Sequence, residues 1–113
     1  MAEFSIAGDN EIWDEIAIRW QSGQIEELNR VLKSHGIEDP AIRRKVLEEF
    51  FFSMATMLDG SSSGIEYEEK EYRPRLAFED RESEGAIMVS DKYDLHSNTL
   101  WDIDAIFEEE AKG

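Results

Sequence analysis

The sequence predicts an α+β fold in which three N-terminal helices pack on one face of a small three- or four-stranded antiparallel sheet and a C-terminal helix closes the domain. Three observations predict it. Apolar residues recur at helical spacing as far as Leu58, the period falls to two after Gly64, and helical spacing returns after Asn98. At 113 residues the chain suits one hydrophobic core, so residues 1–113 read as a single domain. Its helical part spans about 10–60, its sheet part about 64–96 and its last helix about 99–110.

The first helix is predicted over about 10–21. Gly8-Asp9-Asn10 offers capping oxygens, Ile12, Trp13, Ile16, Ala17 and Trp20 make the stripe, and Ser22-Gly23 reads as a break. A second helix over about 24–35 carries Ile25, Leu28, Val31 and Leu32 and ends at His35-Gly36, where glycine can close a helix in the left-handed conformation. Asp39-Pro40 starts the third, because aspartate accepts from first-turn amides and proline at the first helical position lacks only a donor that has no partner there. That helix should run from Pro40 to Leu58 and bury Ile42, Val46, Leu47, Phe50, Met54, Met57 and Leu58. Ser61-Ser62-Ser63-Gly64 follows as a connection.

Beyond it, Ile65 and Tyr67 alternate with Glu66 and Glu68 as a first strand, and Tyr72, Leu76 and Phe78 suggest a second. Pro74 cannot donate to a ladder, so this second strand should lie at an edge or begin at the proline. Asp80–Gly85 reads as a loop, Ala86–Val89 as a third strand, and Tyr93 with Leu95 as a candidate fourth, joined as a meander. Asn98 or Thr99 then caps a helix bearing Leu100, Ile103, Ile106 and Phe107. Glu108-Glu109-Glu110 at its end opposes the helix dipole and should fray it.

Composition narrows the function. Twelve Lys and Arg against 27 Asp and Glu give a formal charge of -15, which disfavours direct binding of nucleic acid or of an anionic membrane surface. No cysteine is present, so thiol nucleophiles, disulfides and thiolate metal sites are excluded, in keeping with a cytoplasmic location. No apolar run approaches the roughly 20 residues that span a bilayer, and Met1–Ala7 does not read as an export signal. His35 and His96 have no metal-ligand partners at helical spacing and read as solvent-exposed. Asp91–Asp102 fails as a calcium loop, since Tyr93, Leu95 and His96 sit where oxygen ligands and the turn glycine belong. Neither a nucleophile elbow nor a phosphate-binding glycine motif occurs, so no catalytic residue, metal or cofactor is assigned.

The remaining signals point to a protein partner. Glu66, Glu68, Glu69, Glu71, Glu79, Asp80, Glu82 and Glu84 gather on and around the strands, where they would meet a basic surface. Phe52 and Trp101 fall off their helical stripes, as does Ile18, and need either a second burial surface within the monomer or a partner. Arg73 and Arg75 flank Pro74 and should point to one side of the strand. The expected function is a non-enzymatic acidic binding domain of the inhibitor or immunity/antidote type, neutralising a basic, nuclease-like or nucleic-acid-binding protein. Two alternatives are a structural or adaptor subunit acting as a homo-oligomer, since a homodimer would cover the same aromatics, and a small-molecule-binding domain.

Overall fold

A computed structural model describes residues 4–7, 11–59, 64–82, 86–90 and 95–113. The elements follow in the order β1 (Phe4–Ala7), α1 (Glu11–Ser34), α2 (Pro40–Leu58), β2 (Ile65–Tyr67), β3 (Lys70–Tyr72), β4 (Ala77–Asp80), β5 (Ala86–Ser90) and α3 (His96–Lys112). The caps at Gly8–Asn10, the serine connection at 61–63, the loop residues 83–85 and a strand through Tyr93 fall outside the described residues.

The chain is α+β, but the predicted arrangement is wrong in two respects. Two helices, not three, precede the β2–β5 segment, and the strands form two separate sheets: a mixed sheet in the order β1-β5-β4 and the two-stranded hairpin β2-β3. β1 was not foreseen. It pairs parallel with β5, Phe4 opposite Ile87 and Ala7 opposite Ser90, while β4 pairs antiparallel with β5 from Ala77 opposite Val89 to Asp80 opposite Ala86. A parallel pairing joins segments far apart in sequence, which local periodicity does not register. The predicted single strand through Tyr72 and Phe78 is divided, because residues 73–76 belong to neither sheet. Pro74 has no N–H to give a ladder, and the Leu76 carbonyl accepts instead from the Trp13 indole at 3.2 Å.

α1 runs through Ser22-Gly23 without a break. Its buried side chains, Trp13, Ala17, Gln21, Ile25 and Asn29, recur every four residues, so one seam crosses the glycine. Gly23 is exposed, and its cost of about 1 kcal/mol in a helix is outweighed by packing on both sides of it. Gln21 also ties α1 to α3, donating from Nε2 to the Thr99 hydroxyl at 2.9 Å. Gly36, with φ of 86°, closes the end of α1 as the left-handed position that glycine adopts without strain.

α2 spans the range its caps predict, with Asp39 accepting from the Ala41 amide, but of its predicted stripe only Leu47 is fully buried. Arg43, Leu47, Phe51 and Ala55 point inward, whereas Ile42 and Phe50 are 53 % and 50 % exposed. The reason is polar. Arg43 is 3 % exposed, yet it donates to both carboxylate oxygens of Glu110, at 2.7 and 3.1 Å, to Asn29 Oδ1 at 2.7 Å and to the Glu38 carbonyl at 3.2 Å. With its guanidinium paired and lying 5.5 Å from the Phe107 ring, it becomes a core residue. Lys33 and Asn29 also hold Glu110, so this end of α3 is anchored rather than frayed.

Two apolar clusters result. Ile25, Leu47, Phe51, Ile103 and Phe107 fill the centre of the three helices; Trp13, Ala17, Ala55 and Leu95 join the helices to the sheet through Phe78 and Met88. α3 starts at His96, earlier than predicted, because its first amides are capped from afar. Asp59, at the end of α2, accepts from the Leu95 and His96 amides at 3.1 and 3.2 Å. The His96 ring nitrogen Nδ1 lies 2.5 Å from the same oxygen, so this histidine is an internal link and not the solvent-exposed residue expected. No described helix is long and apolar enough to cross a membrane.

Candidate functional site

The β2–β3 hairpin has the exposure of a contact surface. Every residue from Ile65 to Tyr72 is exposed. Residues alternate between faces along a strand, and the register places Ile65 opposite Tyr72, Glu66 opposite Glu71 and Tyr67 opposite Lys70. One face therefore presents Ile65, Tyr67 and Tyr72, which are 53 %, 65 % and 52 % exposed, beside Lys70. The other presents Glu66 and Glu71.

Local energetics do not favour this hairpin. Like charges directly opposite repel, and Glu66 faces Glu71. The two-residue turn is Glu68-Glu69, with φ of 48° and 64°, a geometry with both central residues left-handed that ordinarily selects Asn-Gly. Side chains other than glycine cost roughly 1–2 kcal/mol each in that region. Gly64 closes the base. Its amide donates to Glu71 Oε1 at 3.0 Å, and a Cβ there would come within 2.6 Å of the Tyr72 carbonyl oxygen. Replacing Glu68→Asn together with Glu69→Gly is expected to stabilise the protein by roughly 1–2 kcal/mol in urea denaturation while removing two tip carboxylates.

The structure separates the other predicted contacts. Glu79 and Asp80 are exposed at the end of β4, in the other sheet, and Asp80 Oδ1 accepts from the Glu82 amide at 3.0 Å to form the following turn. Glu84 lies outside the described residues. Phe52 and Trp101 belong to α2 and α3, not to the hairpin. Phe52 remains 43 % exposed, standing edge-on to His96 at 5.7 Å beside a shallow hollow shared with Glu48, Glu49 and Leu100. Trp101 is 75 % exposed. Burial of Phe52 between helices and sheet is thus ruled out, and Ile18 is half-buried. Arg73 and Arg75 are exposed on the stretch between β3 and β4, not on a strand.

A second feature lies between two helices and not, as the pocket of a small-molecule-binding domain was expected, between the helices and the sheet. Between α1 and α2 lies a groove of about 560 Å³ lined by Trp20, Leu28, Val46, Phe50 and Met54 among others. Val46, Phe50 and Met54 had been assigned to the core, and their helical spacing carried the signal; what it could not say was that the stripe faces a gap. Gln21 also lines this groove, and neither Arg73, Arg75 nor His96 does. Among the described residues no group of three His, Cys, Asp or Glu side chains could hold a metal ion.

Burial against α1 pushes the Asp102 carboxyl up, an effect opposed by a hydrogen bond from Ser22. Glu110 moves the other way: the hydrogen bond from Arg43, aided by Asn29 and Lys33, lowers it to about 2. Both groups sit in helix packing and serve structure. The geometry thus offers surfaces for a partner: a projecting hairpin with an aromatic face and an acidic face, and an open apolar groove. No protein-family model, curated protein or solved structure matches this chain.

Proposed function

We propose that this chain is a non-enzymatic binding domain that docks on a basic protein through its β2–β3 hairpin, as an inhibitor or immunity/antidote-type protein neutralising a nuclease-like or nucleic-acid-binding target. The observation that carries the reading is the hairpin itself. A two-stranded hairpin is marginally stable in water, and this one keeps a strained turn and an opposed carboxylate pair with neither face covered. Such strain marks places where a shape is held for a purpose other than stability. Tyrosine supplies large, amphipathic contact area and is enriched among the residues that dominate binding energy. The surrounding carboxylates, within a chain of charge -15, would steer a cationic partner to it and repel anionic ones. The lack of cysteine suits action in the reducing cytoplasm.

Affinity capture from the cells that make the protein, at low and moderate salt, tests this reading. A stoichiometric basic protein should be recovered with the natural chain. Recovery should weaken as salt rises and fall about 10-fold or more with the double change Glu66→Lys and Glu71→Lys. Recovery of only the chain itself, as a dimer that persists in salt, would replace this reading with the structural one.

A further inference from the structure

α2 carries apolar side chains on two faces, and only one is covered. Leu47, Phe51 and Ala55 are buried against the other helices, while Ile42, Phe50 and Met57 are 53 %, 50 % and 39 % exposed. Residues 50–58 contain no charged side chain in a chain that is 35 % charged. Depletion of charge around large apolar side chains is the compositional mark of an interface centre. The groove beside this face runs from Trp20 to Val31 on α1 and from Val46 to Leu58 on α2, about 16–18 Å at 1.5 Å per residue. That is about three helical turns.

Its shape and charge select the occupant. A small ligand is normally enclosed over about 70–90 % of its surface. Here the groove is about half enclosed and Phe50 is half in solvent, so a compact ligand would leave part of its apolar surface wet. An amphipathic helix suits such a groove, since its outer face is polar. The one charged side chain lining it among the described residues is Glu27, which pairs with Arg30 on its own helix. A second copy would bring another charge of -15 toward the first, whereas a helix with lysine or arginine on its outer face is attracted. We propose that the groove receives a basic amphipathic helix of the protein partner, about three turns long. This rests on the partner-binding reading above and names the element by which the partner is held.

The test uses the full chain and a synthetic helical peptide of about 16 residues with leucines at positions i, i+4, i+7 and i+11 and lysines elsewhere on its polar face. Binding is read by peptide anisotropy and by the change in tryptophan emission, to which Trp20 in the groove contributes. The peptide should bind, a scrambled peptide of the same composition should bind about 10-fold or more weakly, and a version with glutamates for lysines should not bind. Phe50→Asp should weaken binding about 10-fold or more, and so should Gln24→Arg, which places a cation on the rim. Both positions are exposed, so circular dichroism and the melting temperature should show intact folds. Equal binding of the scrambled or glutamate peptide would overturn the proposal. So would a dimer in sedimentation velocity that Phe50→Asp dissolves, or a small apolar molecule retained by the purified protein in native mass spectrometry. Because the peptide assay needs no captured partner, its failure and failure of the partner-binding reading are separate results.

Discussion

Arg43→Ala is expected to destabilise the protein by about 2–4 kcal/mol, the cost of removing the buried member of a partly buried, hydrogen-bonded ion pair. Arg43 donates to both oxygens of Glu110 and to Asn29 Oδ1 and lies against the Phe107 ring, so alanine loses charge pairing and packing together. Arg43→Lys should recover only part of this, because an ammonium cannot reproduce the two-pronged contact. Urea denaturation followed by circular dichroism gives the comparison, and a loss below about 1 kcal/mol would contradict the role assigned to this residue.

The same network sets a response to acid. Glu110 in the folded chain is lowered from the ordinary 4.5 to about 2, chiefly by the Arg43 hydrogen bond. The unfolded chain therefore takes up the proton first as pH falls. The contribution is complete above pH 4.5, shrinks as pH falls toward 2, and is absent below it. Its side chain is 26 % exposed, so with solvent screening allowed for, roughly 2 kcal/mol is expected to disappear over this window. Glu110→Gln should be less stable than the natural chain at pH 7 by a similar amount and should show a flatter profile between pH 4.5 and 2.

Asp59→Ala should cost about 2–3 kcal/mol, because one buried oxygen serves two backbone amides and a histidine ring. Its side chain is 1 % exposed, so the vacated amides of Leu95 and His96 would not readily gain water in exchange. The carboxylate also faces the positive end of α3. For a chain of this length the loss corresponds to a fall of roughly 10–20 °C in melting temperature. Asp59→Asn keeps an acceptor but gives up the charge, and should lose about half as much. An unchanged melting temperature for Asp59→Ala would show that α3 is capped in some other way.

These two residues also show where sequence reading stops. Asp39-Pro40 and Asp59 bound α2 correctly because their effects are local: the first-turn amide bond of Asp39 and the Asp59 amide returning to the Ala55 carbonyl. The second task of Asp59, capping a helix that starts 37 residues later, leaves no local trace. Arg43 stands beside Arg44 and Lys45 with no local sign of burial, and only the arrival of Glu110 from α3 makes its burial favourable. Once Arg43 turns inward, Ile42 and Phe50 turn outward, and Val46, Phe50 and Met54 of the strongest apolar stripe line a groove while Leu47 stays in the core. Gly23 misled in the opposite sense, since a glycine is a weak breaker when both flanking turns are packed.

For the candidate site, the alternation of Ile65 and Tyr67 with glutamates was legible, as was the acidity of the region. The turn was not, because Glu68-Glu69 has none of the residues that ordinarily adopt left-handed backbone. Nor could periodicity separate the hairpin from β4, so carboxylates that read as one patch lie in two sheets.

The most direct test of partner docking replaces Tyr67 with a photo-cross-linking phenylalanine analogue and irradiates the complex formed in cells. Tyr67 is 65 % exposed beside the Glu68-Glu69 tip, so the substitution should not disturb the fold. The account predicts a single major adduct to a basic protein, lost at raised salt and in the Glu66→Lys, Glu71→Lys background. An adduct to a second copy of this chain, or capture of a basic partner with no cross-link at Tyr67, would contradict docking through the hairpin.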